Sequence, residues 1–140
     1  MTARIGFKTT FDAAHRLHKH EGKCFNLHGH TYNVEVVFSG PVNENGMVLD
    51  FADLKQKTEI ALAAWDHSLI LDSHDPLSGV LLDNEIPLNV VLMDDEPTVE
   101  NMILLIQKDI RFQFADVSIE LVSIKVFETP NCWAELQEEY

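Results

Sequence analysis

A chain of 140 residues, 46% of them hydrophobic, has room for one domain with a real core, spanning 1–140, and is too short for two of ordinary size. Its formal charge of −13 excludes a protein that lives on nucleic-acid phosphates, because such binding draws on clustered Lys and Arg. No run is long and apolar enough to span a bilayer, Met1–Ile5 lacks the apolar core of a signal peptide, and two cysteines, Cys24 and Cys132, cannot make a disulfide framework, so a cytoplasmic, reducing location is expected.

From Arg4 to His15 the pattern is strand-like, with Ile5, Phe7, Thr9, Phe11, Ala13 and His15 on one face at period two. A charged loop from Lys19 to Lys23 leads to a second strand from about Leu27 to Phe38. Its face carries His28, His30, Tyr32, Val34, Val36 and Phe38. Asn43-Glu44-Asn45-Gly46 reads as a turn. Asp50 is placed to cap a helix with Asp53 in its first turn and a buried stripe of Phe51, Leu54, Ala61, Leu62 and Trp65, ending near Asp66-His67. The stretch from Leu71 to Glu96 reads as irregular. Thr98, after Pro97, caps a second helix with Val99, Met102, Ile103, Ile106 and Ile110 on its apolar face. Two closing strands run from Ser118 to Glu128 and from Asn131 to about Gln137.

Strand, strand, helix, helix, strand, strand predicts an α+β protein, a four-stranded antiparallel sheet (ββααββ) with two helices on one face. Such a sheet has two open edges, and association of subunits through them is the natural remedy.

The strongest chemistry lies in Leu27-His28-Gly29-His30 preceded by His15. Alternation puts His28 and His30 on one side of their strand. If the first two strands pair antiparallel, all three imidazoles converge, and three imidazoles with one open position make a catalytic metal site. A chance His-x-His and a lone strand-end histidine are the competing readings, and spacing does not choose zinc over iron or copper. His18, His20 and His74 stand in polar loop sequence and read as solvated. Glu128 extends a strand face in phase with Val122, Ile124 and Val126 and needs a partner there. On residue type alone Cys24 is a packing residue, Asp66-His67 a pair suited to a helix C-terminus, and Thr98 a cap. Glu135 and Glu138 read as solvent-facing, and Cys132 and Trp133 as packing residues.

Six strings nevertheless match one family in order. Phe11-Asp12-Ala13-Ala14-His15-Arg16-Leu17 resembles the first metal-ligand motif of the 6-pyruvoyl/6-carboxy-tetrahydropterin synthases, and Cys24-Phe25-Asn26-Leu27-His28-Gly29-His30-Thr31-Tyr32 resembles their second. Met47 to Lys55 is similar to the start of their first helix, Asp66 to Leu71 to their Asp-His motif, Glu96 to Asn101 to their second helix start, and Val126 to Pro130 to their closing Glu-Thr motif. The stretch from Ser73 to Asp95 falls outside these matches.

The resemblance implies the tunnelling fold, in which the unit assembles through sheet edges into a barrel. A homo-oligomer follows, a hexamer built as a dimer of trimers, with active sites between subunits. It implies Zn2+ on His15, His28 and His30, Cys24 as base, Asp66 and His67 as a second proton-transfer element, and Glu128 as pterin anchor with Thr98 near the substrate. The implied substrate is 7,8-dihydroneopterin triphosphate. Cys24 stands four positions before His28, a spacing that resembles the bacterial 6-carboxy enzymes of queuosine biosynthesis, which release acetaldehyde and triphosphate. A 6-pyruvoyl enzyme, or a non-catalytic zinc- or pterin-binding protein on the same fold, is the alternative. A triphosphate must also overcome the acidic field of the chain, and Arg16, Lys19 and Lys23 are the cations expected to help.

Overall fold

Alternation in the first 41 residues sets the frame of the computed structural model, which describes residues 1–137. β1 (Thr2–His15) and β2 (His28–Pro41) pair antiparallel along their whole length, from Thr2 opposite Pro41 to His15 opposite His28. Phe11, Ala13 and His15 on β1 and Tyr32, Val34, Val36 and Phe38 on β2 are buried, while Asp12 and Thr31 between them are exposed. Period two therefore decides which face takes the helices.

α1 (Phe51–Leu62) starts where Asp50 accepts the Ala52 N–H at 2.8 Å. It packs through Leu54, Thr58, Ala61 and Leu62, with Trp65 just beyond its end. Phe51 does not join that stripe. The first residue of the helix, it is 67% exposed, and packing begins one turn later at Leu54. β3 (Ser68–Asp72), α2 (Pro76–Asp83) and β4 (Val90–Met93) follow. α3 (Val99–Gln113) then buries Val99, Met102, Ile103, Ile106 and Ile110. β5 (Glu120–Thr129) and β6 (Cys132–Gln137) close the described chain.

The sheet has six strands in the order β4-β3-β1-β2-β5-β6 and is mixed, with β3 parallel to both β1 and β4. Among the described residues, three α-helices accompany it. This corrects the four-stranded antiparallel sheet and two helices that the pattern predicts. The additional elements all come from the segment around Leu71–Glu96. Four of the five residues of β3 are buried, so it shows no alternation and reads as an apolar run. α2 has eight residues and buries only Ser78, too little for an apolar stripe. A smaller correction concerns β5, where a bulge opposite Val37 and Phe38 puts Leu121 rather than Val122 into the core.

Buried side chains from sheet and helices form one cluster that includes Tyr32, Trp65, Met102, Ile106 and Ile124. Each fully buried Ile or Met contributes roughly 1.5–3 kcal/mol by leaving water. Cys132 and Trp133, expected to pack, are exposed and half-exposed on β6. Trp133 lies against Phe127 at 5.3 Å, beneath the Lys125 ammonium at 4.3 Å. Glu135 faces solvent as expected, and Glu138 lies outside the described residues. No helix among the described residues is long and apolar enough to cross a membrane.

Candidate metal centre

Register brings the three histidines together. His15 lies directly opposite His28, and Ala13 opposite His30, so the three imidazoles share one end of the β1–β2 ladder on its helix-covered face. Their ring centroids are 4.6 to 5.1 Å apart, and one nitrogen of each lies within 4.8 Å of the other two.

Backbone carbonyls select the tautomers. His15 Nδ1–H donates to the Pro97 carbonyl at 2.8 Å, and His28 Nδ1–H donates to the Asn26 carbonyl at 2.7 Å. A neutral imidazole has one N–H, so each Nε2 carries a lone pair. These two nitrogens stand 3.1 Å apart, and neither has a hydrogen for the other. His30 Nε2 is buried and has no hydrogen-bond partner. Glu128 adds a carboxylate oxygen 3.6 Å from His15 Nε2 and 3.9 Å from His30 Nε2.

A proton is a poor remedy for this crowding. Burial lowers His15 to about 4, with His28 and His30 adding to the effect and the Pro97 hydrogen bond opposing it. His30 is lowered as well, by burial and by His28, against the pull of Glu128. Neutral imidazoles with converging lone pairs are the form that binds a metal, and carbonyls holding the far nitrogens are the usual outer support. The donor set therefore fits a divalent metal that takes nitrogen ligands. Tyr32, one pleat beyond His30, lies under the cluster with its hydroxyl 3.4 Å from His15 Nδ1. Its position on the histidine face was the available signal. The Pro97 and Asn26 carbonyls had none, since any residue has a carbonyl.

The remaining expected site residues fall in three places. Cys24 is half-buried in a one-turn 3-10 helix (Lys23–Phe25), and its carbonyl accepts the Leu17 N–H at 2.8 Å. Thr98 caps α3, accepting the Asn101 N–H at 3.2 Å, immediately after the carbonyl that holds His15. Asp66 and His67 lie with Asp12 and Thr31. Asp66 Oδ1 accepts the Asp12 N–H at 3.0 Å, and Oδ2 lies 3.0 Å from His67 Nδ1. The Asp12 N–H first, then His67, holds the Asp66 carboxyl below the usual range. His67 is exposed and adopts φ 56, a conformation few non-glycine residues take. With Asp12, Gly29, His30 and Thr31 it lines an open depression of about 490 Å³.

One loop histidine, His18, departs from the sequence reading. It is nearly buried between Asp72 and Glu96, while His20 and His74 are exposed, His74 with a bond to Asp72 at 2.8 Å. Arg16 is not a free cation either. Its guanidinium grips the buried Asp75, with Nε donating at 2.7 Å, and stacks over Phe25 at 4.9 Å.

Comparison with known proteins gives the chain its family. The model of the family described as 6-pyruvoyl tetrahydropterin synthase matches residues 4–139. A 6-carboxy-5,6,7,8-tetrahydropterin synthase of Rickettsia bellii is 35% identical over 133 residues, covering 90% of this chain and 94% of that protein. The protein of the same name from Haemophilus influenzae is 32% identical over 142 residues, covering 96% and 99%. Among solved structures, an uncharacterized protein of Wolinella succinogenes superposes with a TM-score of 0.81 at 22% identity, covering 99% of each chain. The 6-pyruvoyl tetrahydropterin synthase of Plasmodium vivax gives 0.76 at 19% identity over 100% and 99%, a likeness of fold. A match over nearly the whole sequence, on a fold that gathers the three histidines, makes this chain a member of the 6-pyruvoyl tetrahydropterin synthase family.

Proposed function

We propose that the chain is a single-domain, cytoplasmic 6-carboxy-5,6,7,8-tetrahydropterin synthase that converts 7,8-dihydroneopterin triphosphate to 6-carboxy-tetrahydropterin with release of acetaldehyde and triphosphate. The observation that carries the reading is the convergence of the His15 and His28 Nε2 lone pairs with the buried, unpartnered His30 Nε2, beside Glu128, in a chain of this family. Relatives at 32–35% identity that bear the 6-carboxy name support the choice of product.

His15, His28 and His30 would hold Zn2+. Bound there, the metal supplies Lewis acidity toward the substrate's side-chain oxygens. Cys24 takes the carbon-bound proton. Glu128 accepts from the amino group and adjacent ring N–H of the pterin, a two-point donor edge that suits a carboxylate. Thr98 borders that site from the start of α3. Asp66 orients His67 for the second proton transfer, and its depressed pKa keeps it ionised for that task.

Asp66 and His67 gather with the side chain of Asp12, which alternates with those of the histidine face, at a depression that His30 also lines. The proposed reaction uses the pair from a neighbouring subunit in a homo-oligomer, a dimer of trimers.

The test is incubation of zinc-loaded protein with 7,8-dihydroneopterin triphosphate, products read by mass spectrometry, with Cys24→Ala in parallel. 6-Carboxy-tetrahydropterin and acetaldehyde from wild type, at least about a hundredfold less from Cys24→Ala, is the expected result. 6-Pyruvoyl-tetrahydropterin would move the chain to the other activity. Binding of zinc and pterin without product would make it a binding protein.

A further inference from the structure

Beside Pro97, whose carbonyl holds His15, lies a second group of ligand-type side chains. His18 in the loop after β1, Asp72 at the end of β3 and Glu96 before α3 meet there. His18 Nε2 is 3.0 Å from Asp72 Oδ2 and 2.9 Å from Glu96 Oε1, and the three atoms lie within 4.8 Å of one another. The side chains are 12%, 1% and 18% exposed, so water does little to screen two carboxylates brought so close.

Each carboxylate is held by one oxygen and directs the other to the same point. Asp72 Oδ1 accepts the backbone N–H of His74 at 2.9 Å and its ring Nδ1–H at 2.8 Å. Glu96 Oε2 accepts the Lys19 N–H at 3.4 Å, and the Glu96 carbonyl accepts from Asn101 Nδ2 at 2.9 Å. Asp72 Oδ2 and Glu96 Oε1 are left facing one imidazole nitrogen that has at most one hydrogen to give. The buried Glu96 Oε1 accordingly has no hydrogen-bond partner of sound geometry. One hydrogen cannot satisfy this arrangement. A dication accepts lone pairs from all three atoms and cancels both charges.

We propose that His18, Asp72 and Glu96 form a second divalent-cation site, separate from the imidazole cluster and built of one imidazole and two carboxylates. Its harder donor set suits Zn2+ or Mn2+. The ion ties the loop after β1 to β3 and to the start of α3. Through the Leu17 N–H to Cys24 carbonyl bond, the same loop reaches the backbone of Cys24.

Stoichiometry tests this without reference to activity. Metal-free protein is dialysed to equilibrium against Zn2+ and metal per chain is read by mass spectrometry, with circular dichroism as the folding control. Wild type is expected to hold two equivalents. His18→Gln and Glu96→Gln should each hold one, and His28→Ala should hold one that is lost on adding Glu96→Gln. One equivalent in wild type, lost with His28→Ala and unchanged by Glu96→Gln, overturns the second site and leaves the imidazole site standing. Two equivalents retained in both His18→Gln and Glu96→Gln also overturn it. If Glu96→Gln fails to fold, the loop variant His18→Gln decides.

Discussion

His15 shows how one side chain is prepared for its role by its surroundings. At 1% exposure, with its Nδ1–H on the Pro97 carbonyl and two other imidazoles beside it, it resists protonation. Its folded-state pKa of about 4 lies below the ordinary 6.5, so the unfolded chain binds the proton more readily. The resulting stability is complete above about pH 6.5 and is lost as pH falls toward 4. Urea unfolding of the metal-free protein should therefore show stability falling across that window by up to about 1.4 kcal/mol per pH unit from this group. His15→Gln should flatten the slope; an unchanged slope would assign it to carboxylates instead. Residue chemistry was readable in advance to the extent that imidazole and carboxylate identities limit what a site can bind. The tautomers were not, because Pro97 and Asn26 act through backbone atoms that have no sequence signature.

At the scale of elements, caps tie secondary structure to the site. Thr98 bonds the Asn101 N–H, and the carbonyl just before it orients His15. Thr98→Ala should lower stability by about 1 kcal/mol in urea unfolding, while Thr98→Ser, which keeps the cap, should lose little. Under the proposed function, a rise in KM for Thr98→Ala with kcat unchanged would add a substrate contact to the capping role; an unchanged KM would leave the cap as the whole explanation. Asp50 and Thr98 were legible because N-caps are local chemistry. α2 also has a local signature, Asp75 before Pro76, but eight residues carry little periodicity to support it.

For the whole molecule, the two faces of the sheet matter most. The histidine cluster lies on the helix-covered face, and Asp66 with His67 beside the outward side chain of Asp12, and the proposed reaction draws the two from different chains. Cys24→Ala and His67→Ala homo-oligomers should each be inactive. Co-refolded in equal amounts, they should recover roughly a quarter of wild-type activity, since a site drawing one chain at random for each residue is intact about that often. No recovery would mean that one chain supplies both residues. The sheet ends in β4 on one side and β6 on the other, the edges through which the proposed subunits would join.

By itself the sequence determined what depends on short-range order. Period two placed His15, His28 and His30 on a common face with Phe11 and Tyr32, and cap chemistry located α1 and α3. Only the tertiary structure decided what depends on neighbours distant in the chain. β3 is buried on both faces by packing, so no alternation marks it, and its parallel pairing with β1 is a long-range choice. His18 looked solvated because its partners, Asp72 and Glu96, stand 54 and 78 residues away. Local patterns record which way a side chain faces; what it meets there is settled when the chain folds.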